Sequence, residues 1–127
     1  MAFLGFLVAD LVAREIPGVD SALDSILDKA DAGPLAVVLV VALVNGAAEE
    51  VFFRGALHSA FGEHAAARNA TVVCVLVTVA TLNVALVIAA AVMGTVFALE
   101  RLATRGILAP MLTHLTWSTL MLLALPR

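Results

Sequence analysis

The stretch NATVVCVLVTVATLNVALVIAAAVMGTVFAL, Asn69 to Leu99, runs for 31 residues without a charged side chain. As one straight helix it would rise roughly 46 Å, against a hydrocarbon core of about 30 Å. It therefore either tilts strongly or folds back, and its best turn is at Leu82 and Asn83. Folding back gives limbs of about 20 Å each and sets Asn83 inside the membrane, where a polar turn persists only if protein encloses it.

The rest of the chain agrees with a lipid setting. Over 127 residues, 63% are hydrophobic and 13% charged, and the mean hydropathy is +1.10. That leaves too few polar side chains to cover a soluble globule. The expected fold is all-α, a polytopic transmembrane bundle of about four membrane-crossing limbs behind a short N-terminal amphipathic segment. The bilayer is its first partner. A net charge of -3, with no basic stripe, excludes nucleic acid. Cys74, the single cysteine, reads as a small packing residue.

Two regions follow, 1–33 and 34–127. Met1 to Ala13 has no basic n-region and contains Asp10, so it does not read as a cleavable signal. It is short for a span and suits an interfacial helix or the stump of a longer one. From Arg14 to Gly33, Ile16, Val19, Leu23, Ile26 and Leu27 recur at helical spacing, opposite Asp20, Asp24, Asp28 and Asp31. This is an amphipathic helix suited to the rim of a bundle. Pro34 to about Ala60 and Gly106 to Pro126 are each long enough for one span. Ala90, Gly94 and Ala98 form a small-residue seam for close helix packing. The basic residues outside the spans divide evenly between the two faces, Arg68, Arg101 and Arg105 against Arg14, Lys29 and Arg127, so they set no orientation.

The segment AAEEVFFRG, Ala47 to Gly55, is the exception to this apolar text. A charge at the bilayer centre costs about 3 kcal/mol or more on insertion scales, so two glutamates and an arginine need a compensating role. Glu50 and Arg54 lie one helical turn apart with the acid first, the favourable order for an ion pair. Glu49 points about 100° away from Glu50 and has no partner at that spacing, which leaves it free as a general base. The plain structural alternative is a buried pair that fixes packing, with Glu49 idle.

A second polar group lies in APMLTHLTWS, Ala109 to Ser118. His114 and Ser118 share a helix face. Counted at 1.5 Å per residue from one membrane face, Glu49 lies about 16 Å deep and His114 about 12 Å, and Asn83 falls near the same level. The three are expected to converge. Taken singly, His114 is as well explained by a bond to a neighbouring helix and Asn83 by a turn cap.

These segments resemble the CPBP family (CAAX protease and bacteriocin-processing, or Abi) of intramembrane proteases. Glu49-Glu50-Val51-Phe52-Phe53-Arg54-Gly55 is similar to its EExxFRG signature, and Gly106 to His114 to its later motif, a turn and Ala-Pro before a histidine. The resemblance covers about Pro34 to Pro126. It implies an integral protein of a bacterial plasma membrane that hydrolyses a peptide or protein substrate near the bilayer, with water activated by Glu49. Two family positions differ. No histidine lies between His64 and His114, so Thr81 or, preferably, Asn83 stands for the family's first histidine, and Ser118 replaces its final Asn or Asp. The implied catalytic set is Glu49, Glu50, Arg54, Asn83, His114 and Ser118.

No cofactor is firmly implied. A divalent metal such as zinc is compatible with the family's description as metalloproteases, but there is no HExxH, and His58 lies about 13 Å along the helix from Glu49. A weakly metal-dependent or metal-independent site is expected. The first alternative function is a catalytically impaired CPBP-like scaffold or immunity-type membrane protein. A transporter is the more distant one, since the sequence shows no inverted repeat.

Overall fold

The computed structural model describes residues 15, 17–31, 33–62 and 65–124. The expectations for Met1 to Ala13, and for the loop around His64, lie outside the described residues. The described chain forms five helices and no strand: α1 (Val19–Ala30), α2 (Leu35–Phe61), α3 (Ala66–Val79), α4 (Val84–Thr104) and α5 (Leu108–Ala124). Helices α2 and α4 are long and apolar enough to cross a membrane; α3 and α5 are shorter apolar helices. Valines and leucines on α2, α3 and α4 face outward, including Val40, Val44, Leu76 and Leu99. That outer surface suits lipid, in which an apolar side chain gains nothing by turning inward.

The 31-residue apolar tract folds back where the bilayer argument places the turn. Helix α3 ends at Val79 and α4 starts at Val84, with Leu82 in the left-handed region at φ 54°. The limbs are unequal, because α4 continues past Leu99 through Glu100 and Arg101 to Thr104. Small residues let the two helices approach. Ala66, Ala70 and Cys74 of α3 are buried, as are Met93, Gly94, Phe97 and Ala98 of α4.

Asn83 shows how a polar turn is tolerated. Its Oδ1 accepts from the Leu86 amide at 3.0 Å, capping α4. Its Nδ2 donates to the Ala22 carbonyl at 2.9 Å and the Ser25 hydroxyl at 3.0 Å, both on α1. The amphipathic helix thus supplies the enclosing protein, and Val19, 3% exposed, is its most buried side chain.

Helix α2 changes winding along its length. After Pro34, which lacks an amide hydrogen and suits a helix start, it is α-helical from Leu35 to Glu50. It then widens to a π-helix over Val51–Leu57 before a last α-turn, His58–Phe61. Such widened turns are rare and recur at functional sites. This one begins directly after the two glutamates and carries Arg54. Helix α2 packs on α5, and its π segment on α3 and α4, so this stretch lies at the centre of the bundle.

Asn83→Ala removes a cap and two bonds to α1, a loss of about 2–3 kcal/mol in all. Thermal unfolding in detergent is expected to give a clearly lower midpoint. Asn83→Asp, which keeps the capping acceptor and loses the donor, should fall between this variant and the parent.

Candidate active site

Glu50 is the centre of the polar cluster. Its side chain is 0% exposed and its Oε1 accepts from Arg54 Nη1 at 3.2 Å, the pair expected from the spacing. The same Oε1 lies 2.8 Å from His114 Nδ1, across from α5. Bonds to two cationic or polar donors compensate a carboxylate that burial would otherwise make costly. Pro110, fully buried at the start of α5, follows the expected Ala-Pro pattern one turn before His114.

Arg54 is buried as well, at 4% exposure. Its Nη2 donates to the Gly94 carbonyl of α4 at 3.1 Å, and its own carbonyl accepts from Arg101 Nε at 2.9 Å. The guanidinium lies 5.2 Å from the Phe97 ring centroid, and Phe97 stacks on His114 with centroids 4.9 Å apart and planes 19° apart. A cation and an imidazole thus share one aromatic neighbour, which restricts both. Gly94 is more than a packing position. A Cβ there would come within 3.3 Å of Thr71 Cγ2 and 3.4 Å of Arg54 Nη2, while its carbonyl also accepts from Thr71.

Glu49 occupies a different environment. Its side chain is 53% exposed and its Oε2 lies 4.0 Å from His114 Nε2, an ion-pair distance but too long for a hydrogen bond. The two glutamates therefore bracket one imidazole, one on each ring nitrogen. Gly46, one turn before Glu50, makes room: a Cβ there would lie 3.3 Å from Leu115 Cδ2 and 3.5 Å from His114 Nε2.

Beside this cluster lies a cavity of about 350 Å³. Glu49, Arg54 and His114 form its polar wall; Phe97, Met93, Leu86 and Trp117 contribute apolar surface; Cys74, Thr78 and Thr81 close the α3 side. Such a space, mostly apolar with a few converging polar groups, is the usual form of a small-ligand or active site.

The structure gathers Glu49, Glu50, Arg54 and His114 and leaves two expected members apart. Asn83 does not line the cavity, and its amide is bonded to α1 and the α4 cap; the turn-cap explanation accounts for it. Thr81, its alternative, does line the cavity, although its hydroxyl donates to the Thr78 carbonyl. Ser118 is half-buried one turn beyond His114 and is neither on the cavity wall nor bonded to the cluster. Trp117 takes the wall position instead. The sequence does not mark Phe97 or Gly94 as part of the site: Gly94 reads there as a small residue of a helix seam, and Phe97 as one more apolar residue of the tract. The Cys74 thiol is a cavity residue as well as a packing one.

The donor set does not fit a catalytic zinc, which takes three protein ligands. Glu50 Oε1 is bonded to Arg54 and to His114 Nδ1, and its Oε2 is buried on that same side of the ring without a hydrogen-bond partner among the described residues. Glu49 faces His114 Nε2 on the opposite edge, so the donors do not converge on one point. Among the described residues no group of three or more His, Cys, Asp or Glu side chains could hold an ion.

Comparison with known families adds one finding. Residues 31–120 match the family model described as type II CAAX prenyl endopeptidase Rce1-like. That range includes both glutamates, Arg54, the fold-back turn and His114. No match is found among curated proteins or among solved structures.

The burial contrast gives a direct test. Glu50→Gln leaves buried Arg54 without its counter-charge and should destabilise the chain by about 3 kcal/mol or more. Glu49→Gln should change the unfolding midpoint little, because its side chain is half-exposed. Equal losses in the two variants would contradict the division drawn between them.

Proposed function

The chain belongs to the Rce1-like family, and on that premise we propose that it is an intramembrane endopeptidase that hydrolyses a peptide bond with water activated by Glu49. The observation that carries the reading is the pair of carboxylates bracketing His114 beside a cavity among apolar helices. One is fully buried and bonded, the other faces open space. A fixed carboxylate orients an imidazole, and a reachable one can take a proton from water.

In this reading the His114 Nδ1–H donates to Glu50, which holds the ring so that Nε2 faces Glu49. Arg54 fixes Glu50 and is itself held by the Gly94 carbonyl. Glu49 removes a proton from water as the oxygen adds to the scissile carbonyl carbon. In the imidazolium form, with Nδ1–H on Glu50, His114 also carries Nε2–H, which donates to the oxyanion that forms. Collapse of the tetrahedral intermediate breaks the C–N bond, and the proton taken by Glu49 passes to the departing amine. The products are a carboxylate and an amine. No step needs a metal, in keeping with the donor set, so a chelator should leave turnover unchanged.

The membrane setting follows from the family and from the two long apolar helices. We further propose that α3 and α5 act as shorter limbs, giving four in all, and that the cavity admits a peptide segment from the bilayer side. A prenylated peptide is the substrate class the family description suggests. Placement in a bacterial plasma membrane remains part of the proposal.

One observation favours a second reading, a catalytically impaired scaffold. The α3 wall of the cavity presents Thr78 and Thr81, whose hydroxyls donate to backbone carbonyls, and no imidazole. A reconstituted chain assayed with a fluorogenic prenylated peptide separates the two. The peptidase reading predicts cleavage in the parent and a loss of at least about a hundredfold in Glu49→Gln. It also predicts that Thr81→His, which places an imidazole on the wall facing Glu49, raises the rate. Silence in the parent and in Thr81→His would establish the scaffold.

A further inference from the structure

A second concavity, of about 480 Å³, lies where the last turn of α2 meets the end of α4, lined by His58, Ser59, Gly62, Arg101, Leu102 and Arg105. It presents two guanidiniums, an imidazole and a hydroxyl, and among the described residues no acidic side chain lines it.

Its depth is set by the two long helices. Helix α4 has 21 residues, a rise of about 32 Å, and its charged turn begins at Glu100, directly after Leu99. Helix α2 has 27 residues and reaches His58 only in its last turn. Both ends therefore reach the boundary of the hydrocarbon core together, at the level of lipid headgroups.

The basic groups are arranged rather than scattered. Arg101 donates Nε to the Arg54 carbonyl, which fixes the stem of its fork; no hydrogen bond of its terminal nitrogens is found among the described residues. Arg105 ends α4 in the left-handed region at φ 55°, a position glycine or asparagine usually fills, although Gly106 follows directly. Cations at a helix C-terminus often serve its last carbonyls. Here the Thr104 hydroxyl serves the Glu100 and Gly106 carbonyls, while Arg105 has no hydrogen bond among the described residues. The Glu100 carboxylate is turned to the other side of α4, where Thr113 donates to it at 2.8 Å.

We infer that this pocket binds a phosphate group, carried by an anionic lipid headgroup at the membrane face. Arginine forks match phosphate oxygens, the Ser59 hydroxyl adds a neutral donor, and basic pockets between membrane helices are suited to such headgroups. The Leu102 side chain gives the glycerol end of a lipid an apolar edge. Because Arg101 also holds the backbone of Arg54, an occupied pocket would steady the π segment that carries the cluster.

Native mass spectrometry of the detergent-solubilised chain tests this, with phosphatidylglycerol or phosphatidylcholine added at equal concentration and inorganic phosphate in a third arm. The parent should retain phosphatidylglycerol preferentially. The double variant His58→Gln/Arg105→Gln should lose that preference by about tenfold while unfolding at the parent's temperature, and Arg105→Lys should keep part of it. Binding of inorganic phosphate with no preference between the lipids would still support a phosphate site, one with a free ion as its source. Equal retention of both lipids and no phosphate binding would overturn the inference. So would a double variant that folds and binds as the parent does.

Discussion

The buried Glu50 carboxylate is the constraint on which the other parts depend. A carboxylate with no exposure inside an apolar bundle has to be compensated, and its compensation comes from two helices at once. Arg54 reaches it from the next turn of α2, and His114 from α5. Arg54 then binds the Gly94 carbonyl, which ties in α4, and a side chain at Gly94 would crowd the guanidinium and Thr71. One desolvated charge thus sets the register of α2, α4 and α5 and requires close packing of α3 on α4. Replacing such a network by apolar residues is often no less stable, so strength alone does not account for a buried charge here.

The asymmetry between the two glutamates follows from the same constraint. Consecutive residues on a helix diverge by about 100°, yet both carboxylates reach His114, because an imidazole offers nitrogens on two edges. The edge facing Glu50 is fixed. The edge facing Glu49 opens on the cavity. The π segment starts at the residue after Glu50, so the widened winding displaces Arg54 and Phe53 rather than the acids themselves.

Much of this was legible in the sequence where a physical length or spacing fixed the outcome. The turn at Leu82 and Asn83 follows from comparing 31 uncharged residues with the thickness of a bilayer. The Glu50–Arg54 pair follows from a four-residue spacing. Counting depth along two helices sets His114 level with Glu49, but the hydrogen bond of His114 goes to Glu50, which the sequence assigns to Arg54 alone. What was not legible depends on tertiary docking. Asn83 lies at the right depth, but depth does not give direction, and its amide turned to α1 because that helix covers the turn. Gly94 and Phe97 carry no polar side chain, so their part in holding Arg54 and His114 appears only once α4 is placed. The π winding has no mark of its own in VFFRGAL.

If Glu49 and His114 act as one unit, removing either should cost almost as much as removing both. A double-mutant cycle on kcat/KM for peptide cleavage, with Glu49→Gln, His114→Gln and the combined variant in one bilayer preparation, measures this directly. The account predicts strong non-additivity, the combined variant being no more than several-fold below the worse single one. Independent, multiplying losses, or a Glu49→Gln chain that cleaves as the parent does, would contradict it.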